Sequence, residues 1–113
     1  MDLKAGFHNI PVDENSSRYL GIVTQDGLWK FIRMPFGLKG APAHFQRTVM
    51  ITLECLPAGG VVIYLDDIVI HADTVEEAWA LTLEALRALA SKGFMINIRK
   101  CKFLADAAKI IGV

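Results

Sequence analysis

Apolar and polar positions along the chain change period several times, and each change marks an element. Between Tyr19 and Phe36, Leu20-Gly21-Ile22-Val23-Thr24 and Leu28-Trp29-Lys30-Phe31-Ile32 form two extended runs around Gln25-Asp26-Gly27. An Asp-Gly step between such runs is a hairpin turn, because Gly accepts the backbone conformation that tight turns need. Met34 to Pro42 holds two Pro and two Gly in nine residues, which makes it a loop. Pro42 can open a helix, and Phe45, Val49, Thr52, Leu53 and Leu56 give that helix an apolar stripe until Pro57. After Ala58-Gly59-Gly60, the β-branched run Val61 to Ile70 is interrupted by Asp66-Asp67, which reads as a second hairpin with the acids at its tip. Thr74-Val75-Glu76-Glu77 is a capping box opening a second helix. Trp79, Leu83, Leu86 and Ala90 fall on one face of it, Ala78, Leu81, Ala85 and Leu89 flank that face, and Gly93 closes the C-terminus.

The ends read as extended. Met1 to Val12, with Asp2 at its head and Leu3, Phe7, Ile10 and Val12 apolar, fits a strand running into a turn. Met95-Ile96-Asn97-Ile98 is a strand, and Lys100 to Phe103 and Lys109 to Val113 look like further extended segments. With the hairpin at 19–36 set aside as an insertion, the order over 1–113 is β-α-β-β-α-β. This is the α+β, ferredoxin-like split order: an antiparallel sheet backed by two helices, with the central hairpin beside the first strand. That topology brings Asp2 next to Asp66 and Asp67.

Composition sharpens this picture. With 113 residues, 53% of them hydrophobic, the chain can bury a core as one domain or a piece of one. No apolar stretch approaches the roughly 18 residues of a membrane span, and no basic-then-apolar leader is visible, so the expectation is an intracellular protein, cytoplasmic or nuclear, and neither membrane-bound nor secreted. Cys55 and Cys101 suit free thiols in a reducing compartment. Net charge is zero but unevenly spread. Residues 51–86 hold seven acids and no Lys or Arg, whereas residues 87–113 hold six bases against Asp106. A basic tail is a footprint of phosphate contacts or simply a solvated face.

The acids carry the chemistry. Two carboxylates about 4 Å apart repel by roughly 4 kcal/mol at an effective dielectric near 20, unless a cation sits between them. Asp is also an ordinary turn residue, so the pair alone is equally a plain turn. A third carboxylate on a neighbouring strand favours a site for Mg²⁺, which prefers oxygen ligands and keeps one or two carboxylates plus substrate phosphates. Two-metal phosphoryl transfer is the matching reaction.

Asp2-Leu3-Lys4-Ala5-Gly6-Phe7-His8-Asn9-Ile10, Met34-Pro35-Phe36-Gly37-Leu38-Lys39-Gly40-Ala41-Pro42-Ala43-His44-Phe45-Gln46, Tyr64-Leu65-Asp66-Asp67 and Lys100-Cys101-Lys102-Phe103 resemble, in order and from end to end, the palm motifs of reverse transcriptases. The resemblance is to LTR retrotransposons of the gypsy type and their retroviral relatives. It implies an RNA-directed DNA polymerase palm. Asp2 and Asp66 would be its principal metal ligands, joined by the Leu3 carbonyl, with Asp67 in a lesser metal role. Two Mg²⁺ ions, replaceable by Mn²⁺, would act there on a DNA primer, an RNA or DNA template and deoxynucleoside triphosphates. Phe7 matches the aromatic gate against a ribose 2′-hydroxyl, although a Phe in that pattern is otherwise a core residue. Phe36, Gly37 and Gln46 match the loop and helix facing nucleotide and template, and Lys100 or Lys102 the lysine near the triphosphate. Ile110-Ile111-Gly112 resembles the start of the primer grip.

Asn9 stands where the family usually has Gln, Leu20-Gly21-Ile22 where it has Thr-Ala-Phe, and Ile110-Ile111-Gly112 where it has Phe-Leu-Gly. None of these removes a metal ligand. The rest of the fingers, the thumb, the connection and the RNase H regions have no counterpart in the sequence, so self-association through exposed faces is expected. The alternative class is a non-enzymatic palm-derived module for binding or oligomerisation.

Overall fold

The computed structural model describes residues 1–105. In chain order they form a 3₁₀ turn (Gly6–Asn9), α1 (Glu14–Ser17), β1 (Gly21–Thr24), β2 (Gly27–Lys30), α2 (Ala41–Thr52), β3 (Val61–Tyr64), β4 (Asp67–Ile70), α3 (Val75–Ser91) and a second 3₁₀ turn (Ile98–Lys100).

The central sheet is built on the β3–β4 hairpin, which pairs Val61 with Ile70 and Tyr64 with Asp67. The opening segment lies against β4: the Ile68 N–H donates to the Met1 carbonyl at 3.0 Å, the Met1 amino group donates to the Ile68 carbonyl, and Asp2 bridges Asp67. On its other side Leu3 bridges Ile96, flanked by Lys4 N–H to Met95 carbonyl at 2.8 Å and Asn97 N–H to Asp2 carbonyl at 2.9 Å. The order is therefore β3, β4, opening segment, closing segment, all antiparallel, as the split βαββαβ pattern requires.

Side chains alternate across this sheet. Leu3, Val61, Ile63, Ile68 and Ile70 face α2 and α3 and join Phe45, Val49, Leu53, Leu56, Leu81, Ala85, Leu89 and Phe94 in one core. Alternation sends Asp2, Tyr64 and Asp67 to the opposite, open face. Core packing thus fixes the strands, and the strands fix where the acids stand.

Several sequence expectations are corrected. The buried ridge of α3 is Leu81, Ala85 and Leu89, the flanking set, while Trp79 is 47% exposed. The helix is apolar around much of its circumference, and small Ala85 suits close approach to the sheet. The opening strand stops by Lys4, where Ala5 turns at φ 49°, so Phe7 lies in a 3₁₀ turn. Lys100 ends a 3₁₀ turn instead of starting a strand: once Asn97 has paired with Asp2, its carbonyl accepts from the N–H groups of Lys100 and Cys101. Helix α2 ends at Thr52, five residues before Pro57, because Leu53 to Leu56 tighten into turns. α1 was not anticipated; Asp13 caps it by accepting the Ser16 N–H at 3.2 Å. Lys109 to Val113 lie outside the described residues.

The caps of α3 stand where anticipated, the N-terminal one through the Thr74 half of the capping box. Thr74 Oγ1 accepts the Glu77 N–H at 3.2 Å. Gly93, at φ 80°, donates to Ala90 and Phe94 donates to Leu89, the paired bonds of a Schellman ending. The β1–β2 hairpin also forms, in register from Gly21–Lys30 to Thr24–Gly27. All eight of its residues are exposed. It joins the body through Val12 N–H to Ile32 carbonyl and Met34 N–H to Ile10 carbonyl.

Candidate active site

The Tyr64–Asp67 pairing leaves Leu65 and Asp66 as a two-residue loop, so Asp66 sits at the hairpin tip and Asp67 opens the returning strand. Two-residue hairpin loops need a positive φ at their first position, which Gly usually supplies. Here Leu65 takes it, at φ 50°. A left-handed conformation costs a residue with a side chain about 1–2 kcal/mol, so the turn must be held by its surroundings. Gln46, projecting from α2, does so. Its Nε2 donates to the Ile63 carbonyl at 2.8 Å, and its Oε1 accepts the Leu65 N–H at 2.6 Å.

The acids converge as their order in the sheet dictates. Asp2 and Asp67 are opposed across an antiparallel bridge, an arrangement that sets Cβ atoms roughly 4.5–5.5 Å apart on one face. Asp66 leans over Gly6. A Cβ added to Gly6 would stand 2.5 Å from Asp66 Oδ1 and 2.7 Å from Phe45 Cζ, so a larger residue there displaces one or the other. Although much of the Asp66 surface reaches solvent, partial loss of water and then the charges of Asp2 and Asp67 raise its pKa above the usual carboxylate value. The trio therefore interacts as a cluster of like charges. Among the described residues no three His, Cys, Asp or Glu side chains are already drawn together as a metal cage. The donor chemistry nonetheless fits a hard divalent cation: three carboxylates, one with its ionised form disfavoured by lost water and by its charged neighbours, form a set that added positive charge would stabilise.

An aromatic wall stands beside them. Phe7 meets Phe36 and Phe45 edge-on at 5.2 Å each, and His8 meets Phe36 at 5.0 Å. Phe7 is half-buried against the core Phe45, while Phe36 is 66% exposed on its loop. Gly37, at φ 87°, makes the turn after Phe36 that Pro35-Phe36-Gly37 foretells. Leu3 is core by its side chain, which anchors the backbone next to Asp2. Lys100 and Lys102 both line a cleft of about 410 Å³ with Asp2 and Asp67, so neither is singled out by position. Ile110-Ile111-Gly112 lie outside the described residues.

Sequence reasoning missed three features. Gly6 inside an apolar pattern was a legible sign of close approach, but its partner, Asp66, is sixty residues away. Gln46, which the resemblance sets toward nucleotide and template, also turns its carboxamide onto the hairpin backbone, a partner that the motif does not announce. The Asp2 N–H also meets Cys101 Sγ at 3.5 Å, a contact that no spacing announces.

The whole chain, residues 1–113, matches the family model described as reverse transcriptase (RNA-dependent DNA polymerase). This chain belongs to that family. The reverse transcriptase sequence is 36% identical over 112 residues to the retrovirus-related Pol polyprotein from transposon 297 of Drosophila melanogaster, covering 99% of this chain and 11% of that protein. It is 33% identical over 112 residues to the transposon Tf2-3 polyprotein of Schizosaccharomyces pombe, covering 99% and 8%. The fold superposes on a foamy viral protease-reverse transcriptase in complex with RNA/DNA hybrid, with a TM-score of 0.88, 25% identity, and coverage of 98% of this chain and 15% of that one. A second foamy viral structure, in complex with double-stranded DNA, gives a TM-score of 0.89 at 25% identity, covering 99% and 21%. The chain thus spans about a tenth of the polyproteins it matches.

Proposed function

We propose that this reverse transcriptase chain is the palm, with an inserted fingers hairpin at about 19–36, of an RNA-directed DNA polymerase that joins deoxynucleotides to a primer. The observation that carries the reading is the convergence of three carboxylates: Asp2 opposed to Asp67 across the sheet, and Asp66 at the hairpin tip over Gly6, its pKa raised by partial loss of water and then by the charges of Asp2 and Asp67. Asp2, Asp66 and Asp67, with the Leu3 carbonyl, are the residues that would hold Mg²⁺. Bound there, two such ions would acidify the primer 3′-hydroxyl and stabilise the pyrophosphate leaving group. The chain's own contribution is positioning. Core residues Leu3 and Ile68 fix the two strands whose next residues are Asp2 and Asp67. Phe7, braced by Phe45 and Phe36, forms a wall suited to a deoxyribose that has no 2′-hydroxyl. Phe36 and Gly37 would meet the incoming nucleotide, and Lys100 or Lys102, lining the same cleft as Asp2 and Asp67, would meet its phosphates. The complexes of the foamy viral structures with RNA/DNA hybrid and double-stranded DNA support nucleic-acid partners.

Metal binding is the reaction-independent test, and it suits a chain that is a tenth of its relatives' length. Mg²⁺ or Mn²⁺ should raise the melting temperature of the purified chain, since a ligand of the native state stabilises it by about 2.7 kcal/mol at a hundred times its dissociation constant. Asp66→Asn should abolish most of that rise. A variant that keeps the full metal-dependent shift would rule out the carboxylate site.

A further inference from the structure

Among the described residues, the tip of the β3–β4 hairpin is held from outside by one polar side chain. Gln46 stands on α2 directly after the fully buried Phe45, so its backbone is anchored in the core. Its carboxamide spans the hairpin backbone on both sides of Tyr64, donating to the Ile63 carbonyl at 2.8 Å and accepting the Leu65 N–H at 2.6 Å. The partners fix which end is which, because only the oxygen can receive an N–H and only the NH₂ can supply a carbonyl. The second of these bonds falls on the one residue of the hairpin with a positive φ, Leu65, and the next residue is Asp66. Strained backbone persists where neighbours over-determine it, and here the neighbour is Gln46.

We infer that Gln46 is a positioning residue: by holding the Leu65 turn from α2 it sets the aim of Asp66 toward Asp2 and Asp67. This rests on reading the carboxylates as a divalent-cation site. The bond to Leu65 is short, and the hairpin engages each carboxamide end once, so the clamp is complete while one N–H and one oxygen lone pair stay open to a nucleotide. A residue that orients a metal ligand through a hydrogen bond typically changes affinity 10–100-fold when removed.

The test uses the purified chain and Mn²⁺ as the probe, with binding read by electron paramagnetic resonance and backbone opening by amide hydrogen exchange. Gln46→Met keeps the side chain's length and removes both bonds. It should weaken Mn²⁺ binding about 10-fold and speed exchange at Leu65, while amides of the α3 core ridge keep their protection. The discriminating variant is Leu65→Gly, which accepts a positive φ without strain. In that background Gln46→Met should cost clearly less Mn²⁺ affinity, because the turn no longer needs holding; a general packing role for Gln46 would not be relieved in this way. Undiminished Mn²⁺ binding by Gln46→Met, or a loss equally large in both backgrounds, overturns the inference. If the wild-type chain binds no Mn²⁺, or Asp66→Asn binds as well as wild type, the cation-site reading fails instead. Leu65 exchange then still decides the clamp, and an unchanged rate in Gln46→Met overturns it. Should Gln46→Met lose α3 protection, Gln46→Asn, one methylene too short to span both partners, replaces it in the same comparisons.

Discussion

A carboxylate whose pKa is raised by folding is a burden on the native state once it ionises. For Asp66 the sign is set by lost water and by Asp2 and Asp67. Its folded pKa lies above the unfolded one, so its contribution is fully favourable below the ordinary carboxylate range and is lost as pH rises through the raised value. Asp13 runs the other way. The Ser16 hydroxyl and then the Ser16 N–H lower its pKa, so the cap's contribution is present above the ordinary value and fades as pH falls through the lowered one. Asp66→Asn should therefore raise the metal-free melting temperature near neutral pH by a few degrees, since about 1 kcal/mol moves a domain of this size by about 4–8 °C and partial exposure leaves less than that. The gap between variant and wild type should shrink as pH drops toward 4. Thermal melts across pH 4 to 7 check this, and a variant less stable than wild type at pH 7 would mean the Asp66 carboxylate is held by favourable contacts. The acids were legible because carboxylates interrupt an apolar run. Gly6 was legible only as a close approach and Gln46 only as part of the helix facing the site; what each of them meets was not, because each acts on a partner distant in sequence and in one case on bare backbone.

At the scale of elements, the sequence announced α3 by its ends more truthfully than by its face. Thr74 and Gly93 are local signals, each satisfied by bonds within five residues of itself, so they survive any tertiary arrangement. The buried face is a tertiary choice. Trp79, Leu83 and Leu86 compete with Leu81, Ala85 and Leu89, and the second set meets the sheet. The same distinction explains the opening strand, whose alternation continues through Phe7 while Ala5 and Gly6 bend it into a 3₁₀ turn so that Gly6 can pass beneath Asp66. Leu89→Ala should cost about 2–5 kcal/mol, the usual range for emptying a fully buried Leu site. Trp79→Ala, though it removes more atoms, should cost less, about 2 kcal/mol, because a ring that is 47% exposed keeps only about half of its area buried. Urea unfolding of the two variants ranks them. Trp79→Ala as the more damaging change would mean that α3 is rotated from the placement described.

At the scale of the molecule, the strand order was legible because it follows from element order, and so was the open posture of the β1–β2 hairpin, since two short apolar runs joined by a tight turn bring no partner of their own to cover them. Ile22, Val23, Leu28 and Trp29 are exposed at 43, 81, 77 and 59%, and Tyr19 and Ile32 beside them at 87 and 69%. The chain is correspondingly elongated, 55 × 26 × 21 Å, with a radius of gyration of 16.4 Å where a compact chain of this length has about 13 Å. A two-stranded hairpin with neither face covered is marginal in water, and its free edges can pair with another copy. An apolar surface of this kind is an interaction site or an aggregation liability. The purified chain should therefore self-associate, and it should do so through this hairpin rather than through the carboxylate end, where like charges gather. Val23→Lys with Leu28→Lys places two charges on one face of the hairpin, at its most exposed apolar pair, without touching the core, since neither residue is buried. Light scattering after size exclusion should show the wild-type chain as dimers or larger species at micromolar concentration and the double variant shifted toward monomer, with the metal-dependent rise in melting temperature retained. A double variant that stays associated would move the contact elsewhere. One that becomes monomeric but loses the metal response would couple the hairpin to the carboxylates in a way the separation of the two regions does not suggest.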